Sequence, residues 1–298
     1  MAITILDGGM GRELERSGAP FRQPEWSALA LIESPAHVGR AHAAFARSGA
    51  DVITTNSYAV VPFHIGEARF AAEGLRLADL AGRLARETAY EFGVKVAGSL
   101  PPVLGSYRPD LFDPAKARPI LEILIEGLSP HADIWLAETQ SALAEVTLVK
   151  DLLGDDPRPL WLSFTLDDHD AKAVLSGVMK PVLRSGEAVA DAARHAVALG
   201  ASALLFNCSQ PEVMEAAVRE ARAALGDAPV DIGVYANAFA SEADDAAANE
   251  TLHGIRADLT PPLYLGWARR WVDAGATMVG GCCGIAPEHI DELARALK

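Results

Sequence analysis

One short sentence of sequence recurs along this chain: the end of a helical stretch, a glycine, then a brief apolar run. It reads Ser48-Gly49-Ala50-Asp51-Val52-Ile53, Leu199-Gly200-Ala201-Ser202-Ala203-Leu204-Leu205 and Ala274-Gly275-Ala276-Thr277-Met278-Val279, with weaker versions around Gly93, Gly154 and Gly226. Glycine takes up the left-handed backbone conformation at little cost, so each of these glycines marks a helix stop. The runs that follow are continuous rather than alternating, which is the pattern of strands buried on both faces. Amphipathic Ala/Leu/Arg/Glu stretches of helical length lie between them, at 68–91, 115–128, 142–153, 187–199, 212–225, 263–274 and 287–297. Strands are expected at 3–6, 51–55, 95–99, 134–138, 160–165, 203–207, 231–235 and 277–280.

Eight β/α units in 298 residues match the requirement of a closed (β/α)8 TIM barrel. The fold class read from the pattern is therefore α/β, with residues 1–298 as one barrel domain. A doubly wound open sheet is the competing architecture, but it usually stops near six strands. Gly8-Gly9-Met10-Gly11 also lacks the spacing of a dinucleotide fingerprint. The long connections, at 8–36, 100–114, 166–186 and 237–262, all follow strands. In a β/α barrel these gather on the face where active sites sit. Residues 240–250, rich in Ala and acid, read equally as a lid and as a solvated insertion.

Net charge is −14 at pH 7, so nucleic acid is excluded as a natural partner. No run approaches the roughly 18 consecutive apolar residues of a membrane helix. No basic residue precedes Arg12, so a secretory signal is not expected, and the expected location is cytoplasmic. Nothing in the sequence fixes an oligomeric state. Three cysteines remain to be explained: Cys208, Cys282 and Cys283. Three is odd and two are adjacent, which argues against a disulfide framework.

All three cysteines fall at predicted strand ends, Cys208 after the sixth strand and Cys282-Cys283 after the eighth. Strand ends of one barrel converge on one face, and Gly281 and Gly284 would let the backbone bend so that both vicinal thiols face one point. Three thiolates suit a soft or borderline metal, with zinc as the default, and three protein ligands leave a fourth position open for substrate. The competing role is that of ordinary buried cysteines. A zinc carrying three thiolates is a poor Lewis acid for hydrolysis, yet it can bind a substrate thiol and keep it ionised and nucleophilic.

Asp7 and Glu138 end the first and fourth predicted strands, and two anionic groups at the barrel mouth suit an ammonium. The Gly8-Gly9 amides, at the start of a helical turn, suit a carboxylate. An amino acid bearing a thiol satisfies all three features. Helix capping is the competing role for each acid taken alone. The histidines (His37, His42, His64, His131, His169, His195, His253 and His289) show no metal-ligand spacing and read as exposed or hydrogen-bonded helix residues. Trp135 and Trp161 read as barrel packing. There is no phosphate-binding loop and no serine nucleophile elbow.

The motifs Asp7-Gly8-Gly9-Met10-Gly11-Arg12-Glu13-Leu14-Glu15, Ile53-Thr54-Thr55-Asn56-Ser57-Tyr58, Ala97-Gly98-Ser99, Glu138-Thr139, Ser163-Phe164-Thr165-Leu166, Asn207-Cys208 and Gly280-Gly281-Cys282-Cys283 together resemble those of the homocysteine S-methyltransferases, in the same order. The resemblance implies a β/α barrel, a zinc held by Cys208, Cys282 and Cys283, and homocysteine sulfur as the fourth ligand. It implies that Asp7 and Glu138 hold the amino group, with Gly8, Gly9 and Thr55 near the amino-acid end and Asn237 counted among the substrate-binding residues. The expected reaction is methyl transfer to homocysteine, giving methionine, with no catalytic side chain beyond the metal-activated thiolate.

One departure bears on the donor. The family usually reads Tyr-Pro-Asn, a small residue and Gly where this chain has Tyr235-Ala236-Asn237-Ala238-Phe239. A phenylalanine there would narrow or reshape the donor pocket. With the last expected helix at 287–297, neither the oligomerisation arm of betaine-using relatives nor folate or cobalamin modules are expected. That favours a small sulfonium donor, S-methylmethionine or S-adenosylmethionine. The alternatives are another thiol or selenol acceptor on the same scaffold, or a non-catalytic zinc-binding regulatory barrel.

Overall fold

The structure is a computed structural model, and it describes residues 2–239 and 256–298. The 240–250 segment therefore lies outside the described residues. Eight parallel strands form one sheet: β1 (Thr4–Ile5), β2 (Val52–Thr54), β3 (Lys95–Leu100), β4 (Ile134–Gln140), β5 (Leu160–Phe164), β6 (Ala203–Asn207), β7 (Asp231–Tyr235) and β8 (Met278–Val279). All eight fall where the apolar runs placed them. Their order in the sheet is β1-β8-β7-β6-β5-β4-β3-β2. The seam between β1 and β2 is drawn together by a parallel bridge from Leu6 to Val52 and by the Asp51 amide donating to the Ile5 carbonyl at 2.7 Å. The sheet is thus a nearly closed barrel.

The helices are α1 (Met10–Arg16), α2 (Ser27–Glu33), α3 (Pro35–Arg47), α4 (Pro62–Ile65), α5 (Glu67–Phe92), α6 (Pro114–Leu128), α7 (Leu143–Leu153), α8 (Ala171–Leu175), α9 (Val189–Ala198), α10 (Pro211–Leu225), α11 (Pro261–Ala274) and α12 (Pro287–Leu297). The expected glycine stops hold. Gly93 ends α5 and Gly275 ends α11, each in the left-handed region at φ +71° and +118°. The 8–36 connection is not an open loop, because it carries α1 and α2. Each of these helices is seven residues long, too short for a repeating apolar stripe to stand out in the sequence.

Side chains alternate across each strand, so the core has two layers. The barrel interior holds Leu6, Val52, Ala97, Leu136, Trp161, Leu205, Tyr235 and Met278. Between strands and helices lies the larger layer, with Trp135, Phe45, Phe164, Phe206 and Trp271 fully buried. Trp135 and Trp161 are both packing residues, one outside the barrel wall and one inside it. His42 departs from the expectation for helix histidines. It is buried in α3 with neither ring nitrogen hydrogen-bonded among the described residues, and burial pushes it down to about 4, so the ring is neutral at physiological pH. Among the described residues no helix is long and apolar enough to cross a membrane.

Candidate functional site

The strand C-termini define the mouth of the barrel, and the cysteines stand there. Cys208 directly follows β6, buried, with a backbone φ of +48° that is rare for a residue with a Cβ. Cys282 and Cys283 lie three and four residues beyond the end of β8. Backbone bonds lace this segment to its neighbours. Cys208 N–H donates to the Tyr235 carbonyl at 3.3 Å, Cys282 N–H to the Ala236 carbonyl at 2.9 Å, and Gly281 N–H to the Asp7 carbonyl at 2.9 Å. The Cys283 carbonyl accepts from the Ala238 amide at 2.8 Å.

Glycines make the segment compact. A Cβ on Gly9 would meet the Cys282 carbonyl oxygen at 2.6 Å, and one on Gly281 would collide with the Ile285 side chain. Gly284 turns the chain at φ +83°. As a result the sulfurs of Cys208, Cys282 and Cys283 all lie within 4.8 Å of one another, although 74 residues separate the first from the second.

The structure joins Cys208 to Cys282 as a disulfide, with Cys283 free. The expectation of no disulfide framework did not foresee this single bond. Adjacency strains a bond between Cys282 and Cys283, but it places no such strain across the barrel mouth, where the Cα atoms of Cys208 and Cys282 are 5.7 Å apart. The Cys283 sulfur stands 4.0 Å from that of Cys282, and burial pushes the Cys283 thiol up to about 11. When reduced, the trio is a compact set of soft donors of the kind that holds zinc.

Asp7 and Glu138 also reach the mouth, and neither caps a helix. The Asp7 carboxylate accepts from the Thr54 amide at 2.7 Å and from the Thr54 hydroxyl at 3.1 Å, tying the end of β1 to β2. Glu138, inside β4, accepts from the Ser99 hydroxyl at 2.5 Å. Burial raises both carboxyls to about 7, and the nearby Glu138 charge contributes to the rise at Asp7. Two poorly solvated carboxylates, one feeling the charge of the other, are chemically suited to a cation.

Thr55 is buried, its hydroxyl accepting from the Ser99 amide at 2.9 Å and sharing a hydrogen bond with Ser57 at 2.9 Å. The Gly9 amide is spent inside the fold, donating to the Ile285 carbonyl at 2.9 Å. Asn237 is held beyond β7 by its amide on the Ser209 carbonyl at 3.1 Å, and its side-chain oxygen accepts from the Phe239 amide at 3.2 Å. Phe239 is buried beneath Arg12, whose guanidinium carbon is 5.5 Å from the ring centre.

Residues that reasoning from local pattern passed over complete the mouth. Tyr58 shares a hydrogen bond with Ser106 at 2.7 Å, and Arg184 stacks 4.8 Å over the Tyr107 ring while pairing with buried Asp168 at 2.6 Å. Asn207 donates to the Thr139 hydroxyl at 2.7 Å, and Tyr235 stands beside Glu138. Tyr58, Ser99, Thr139 and Asn207 all sit within the motifs quoted above, which is the signal that marked them.

The homocysteine S-methyltransferase family model matches residues 4–297. This chain belongs to the homocysteine S-methyltransferase family. As a member it is a methyltransferase built on a TIM barrel. It is 31% identical to homocysteine S-methyltransferase of Escherichia coli, with 98% of this chain and 94% of that protein covered. It is 28% identical to homocysteine S-methyltransferase 1 of maize over 99% and 94%. A selenocysteine Se-methyltransferase of broccoli is 28% identical over 98% and 88%. Among solved structures, the metallated form of the Escherichia coli homocysteine methyltransferase MmuM aligns with a TM-score of 0.77 at 25% identity, covering 99% of this chain and 96% of that one. The oxidized form of the same protein aligns at 0.75 and 26%, with the same coverage.

Proposed function

We propose that this methyltransferase moves a methyl group from a small sulfonium donor, S-methylmethionine or S-adenosylmethionine, to the thiol of homocysteine, forming methionine. The observation that carries the reading is the meeting of three sulfurs at the mouth of a family barrel, beside a buried pair of carboxylates. Cys208, Cys282 and Cys283, in their reduced form, would hold the zinc. Zinc bound there would supply the positive charge that keeps the acceptor sulfur ionised near neutral pH.

The chain's own residues orient the acceptor. Asp7 and Glu138 take its ammonium, which gives two buried carboxylates the counter-charge that they lack in the fold. Gly8, Gly9 and Thr55 flank its carboxylate end, Gly9 through close approach rather than through its amide. Asn237 lies beside the cysteines on the β7 side. In the transfer the acceptor sulfur's lone pair forms the new S–C bond. The donor's C–S bond breaks with its electron pair remaining on sulfur, so a neutral thioether leaves. The thiol proton has passed to solvent beforehand, so no general base is required. Alignment of three atoms in line is the main demand on the protein.

A selenol acceptor is the second reading, favoured by the similarity to a selenocysteine Se-methyltransferase. Metal analysis of protein purified under reducing conditions, followed by a donor-by-acceptor activity panel, tests both. Methionine formation from homocysteine with a sulfonium donor supports the first reading. Zinc content with no methylated product from any donor overturns both.

A further inference from the structure

Tyr235 ends β7 in the inner layer of the barrel, among Leu6, Leu136, Leu205 and Met278, with Cys282 packed against the same cluster. Its position relative to the sulfurs is fixed by backbone bonds, since its carbonyl accepts from Cys208 and the next carbonyl accepts from Cys282. The residue is 5% exposed, and among the described residues its hydroxyl meets no partner in full hydrogen-bond geometry. Glu138 and Ser163 lie near enough to interact weakly with that hydroxyl, and the Asp7 charge is felt there. A hydroxyl buried without a partner is costly, and such groups in native folds normally have one.

A primary ammonium has three N–H donors, and Asp7 and Glu138 account for two. We propose that the Tyr235 hydroxyl oxygen accepts the third, so that these three residues form a cage selective for a primary ammonium on the thiol substrate. The Tyr235 proton would be directed at Ser163, whose hydroxyl already donates to Asn207 at 2.8 Å and so keeps its lone pairs for accepting. The inference rests on the reading of Asp7 and Glu138 given above and extends it. The acceptor must carry an unsubstituted amine, and N-acylated or N-trialkylated thiols lack the third donor.

The test compares, by calorimetry on zinc-loaded protein, the binding of homocysteine and of its amine-free analogue 4-mercaptobutyrate. A hydrogen bond to a charged group contributes enough that its loss weakens binding about tenfold or more. Tyr235→Phe is expected to weaken homocysteine at least tenfold while leaving 4-mercaptobutyrate, zinc content and melting temperature unchanged. In the unmodified protein, N-acetylhomocysteine should bind no better than 4-mercaptobutyrate, which checks the cage without any variant. An unchanged ratio of the two affinities in Tyr235→Phe, or equal weakening of both, overturns the role of Tyr235 while leaving the wider reading intact. Failure of the unmodified zinc-loaded protein to bind homocysteine at all overturns both.

Discussion

The Asp7 carboxylate accepts the Thr54 amide proton at 2.7 Å, so one of the two acids assigned to the substrate ammonium also fastens β1 to β2 at the seam of the barrel. On the proposed reading, barrel closure and substrate recognition share a residue. A carboxylate held this way cannot swing out to water, which keeps it poorly solvated and ready for a cation.

The pH dependence of stability follows from the raised carboxyls. Glu138 stands near 7 in the fold against an ordinary 4.5. Between those values the folded protein keeps a proton that the unfolded chain has lost, so substrate-free stability falls as pH rises through that window. Asp7 adds to the same slope. Glu138→Gln should flatten the decline and raise the melting temperature at pH 8, while weakening homocysteine binding at least tenfold. A melting curve with the same pH slope as the parent would refute the assignment.

Metal content should depend on each sulfur. Cys208→Ala, Cys282→Ala and Cys283→Ala should each abolish zinc binding, measured by elemental analysis after dialysis. The disulfide between Cys208 and Cys282 removes two of the three donors, so oxidised protein should take up zinc only after reduction. Near-stoichiometric zinc in any one of the variants would count heavily against a three-sulfur centre.

Gly281 has no room for a side chain, because a Cβ there would run into Ile285. Gly281→Ala should destabilise the fold by about 1–3 kcal/mol, the usual cost of overpacking. It should also lower zinc affinity, because the displaced backbone carries Cys282. Denaturant unfolding and a zinc competition titration read the two effects separately. Full stability with full zinc affinity would show that the segment yields more easily than its packing implies.

Phe239 occupies the position where the family usually has glycine, and Arg12 lies over its ring at 5.5 Å. Phe239→Gly should widen the donor side and raise kcat/KM for S-adenosylmethionine relative to S-methylmethionine by about tenfold, the scale at which pocket shape discriminates. Homocysteine KM should stay where it is. Unchanged donor preference would place Phe239 outside the donor pocket.

Much of this was legible in the residues themselves. Glycine stops followed by unbroken apolar runs located six of the eight strands, and the apolar runs alone located β1 and β4, because helix termination and strand burial are written in local composition. The order of motifs from Asp7 to Cys283 gave the family, and placement at strand ends singled out the cysteines and both acids. The short helices α1 and α2 were less legible, since seven residues hold too few turns for a periodic stripe. The roles of Asp7 and Glu138 were ambiguous for a related reason. A carboxylate at a strand end reads as a cap until the strand beside it is known.

What the sequence by itself determined is the barrel, the order of its units and the placement of the cysteines, Asp7 and Glu138 at strand ends. Only the tertiary structure decided how those residues meet. The bond between Cys208 and Cys282, the Asp7–Thr54 seam and the approach of Tyr235 to Glu138 all bring together segments distant in the chain. They depend on inter-strand register, and on backbone turns such as the positive φ at Cys208 and Thr139. Side-chain direction at the end of a strand is set by the neighbouring strands and by barrel closure, and no local pattern of residues encodes it.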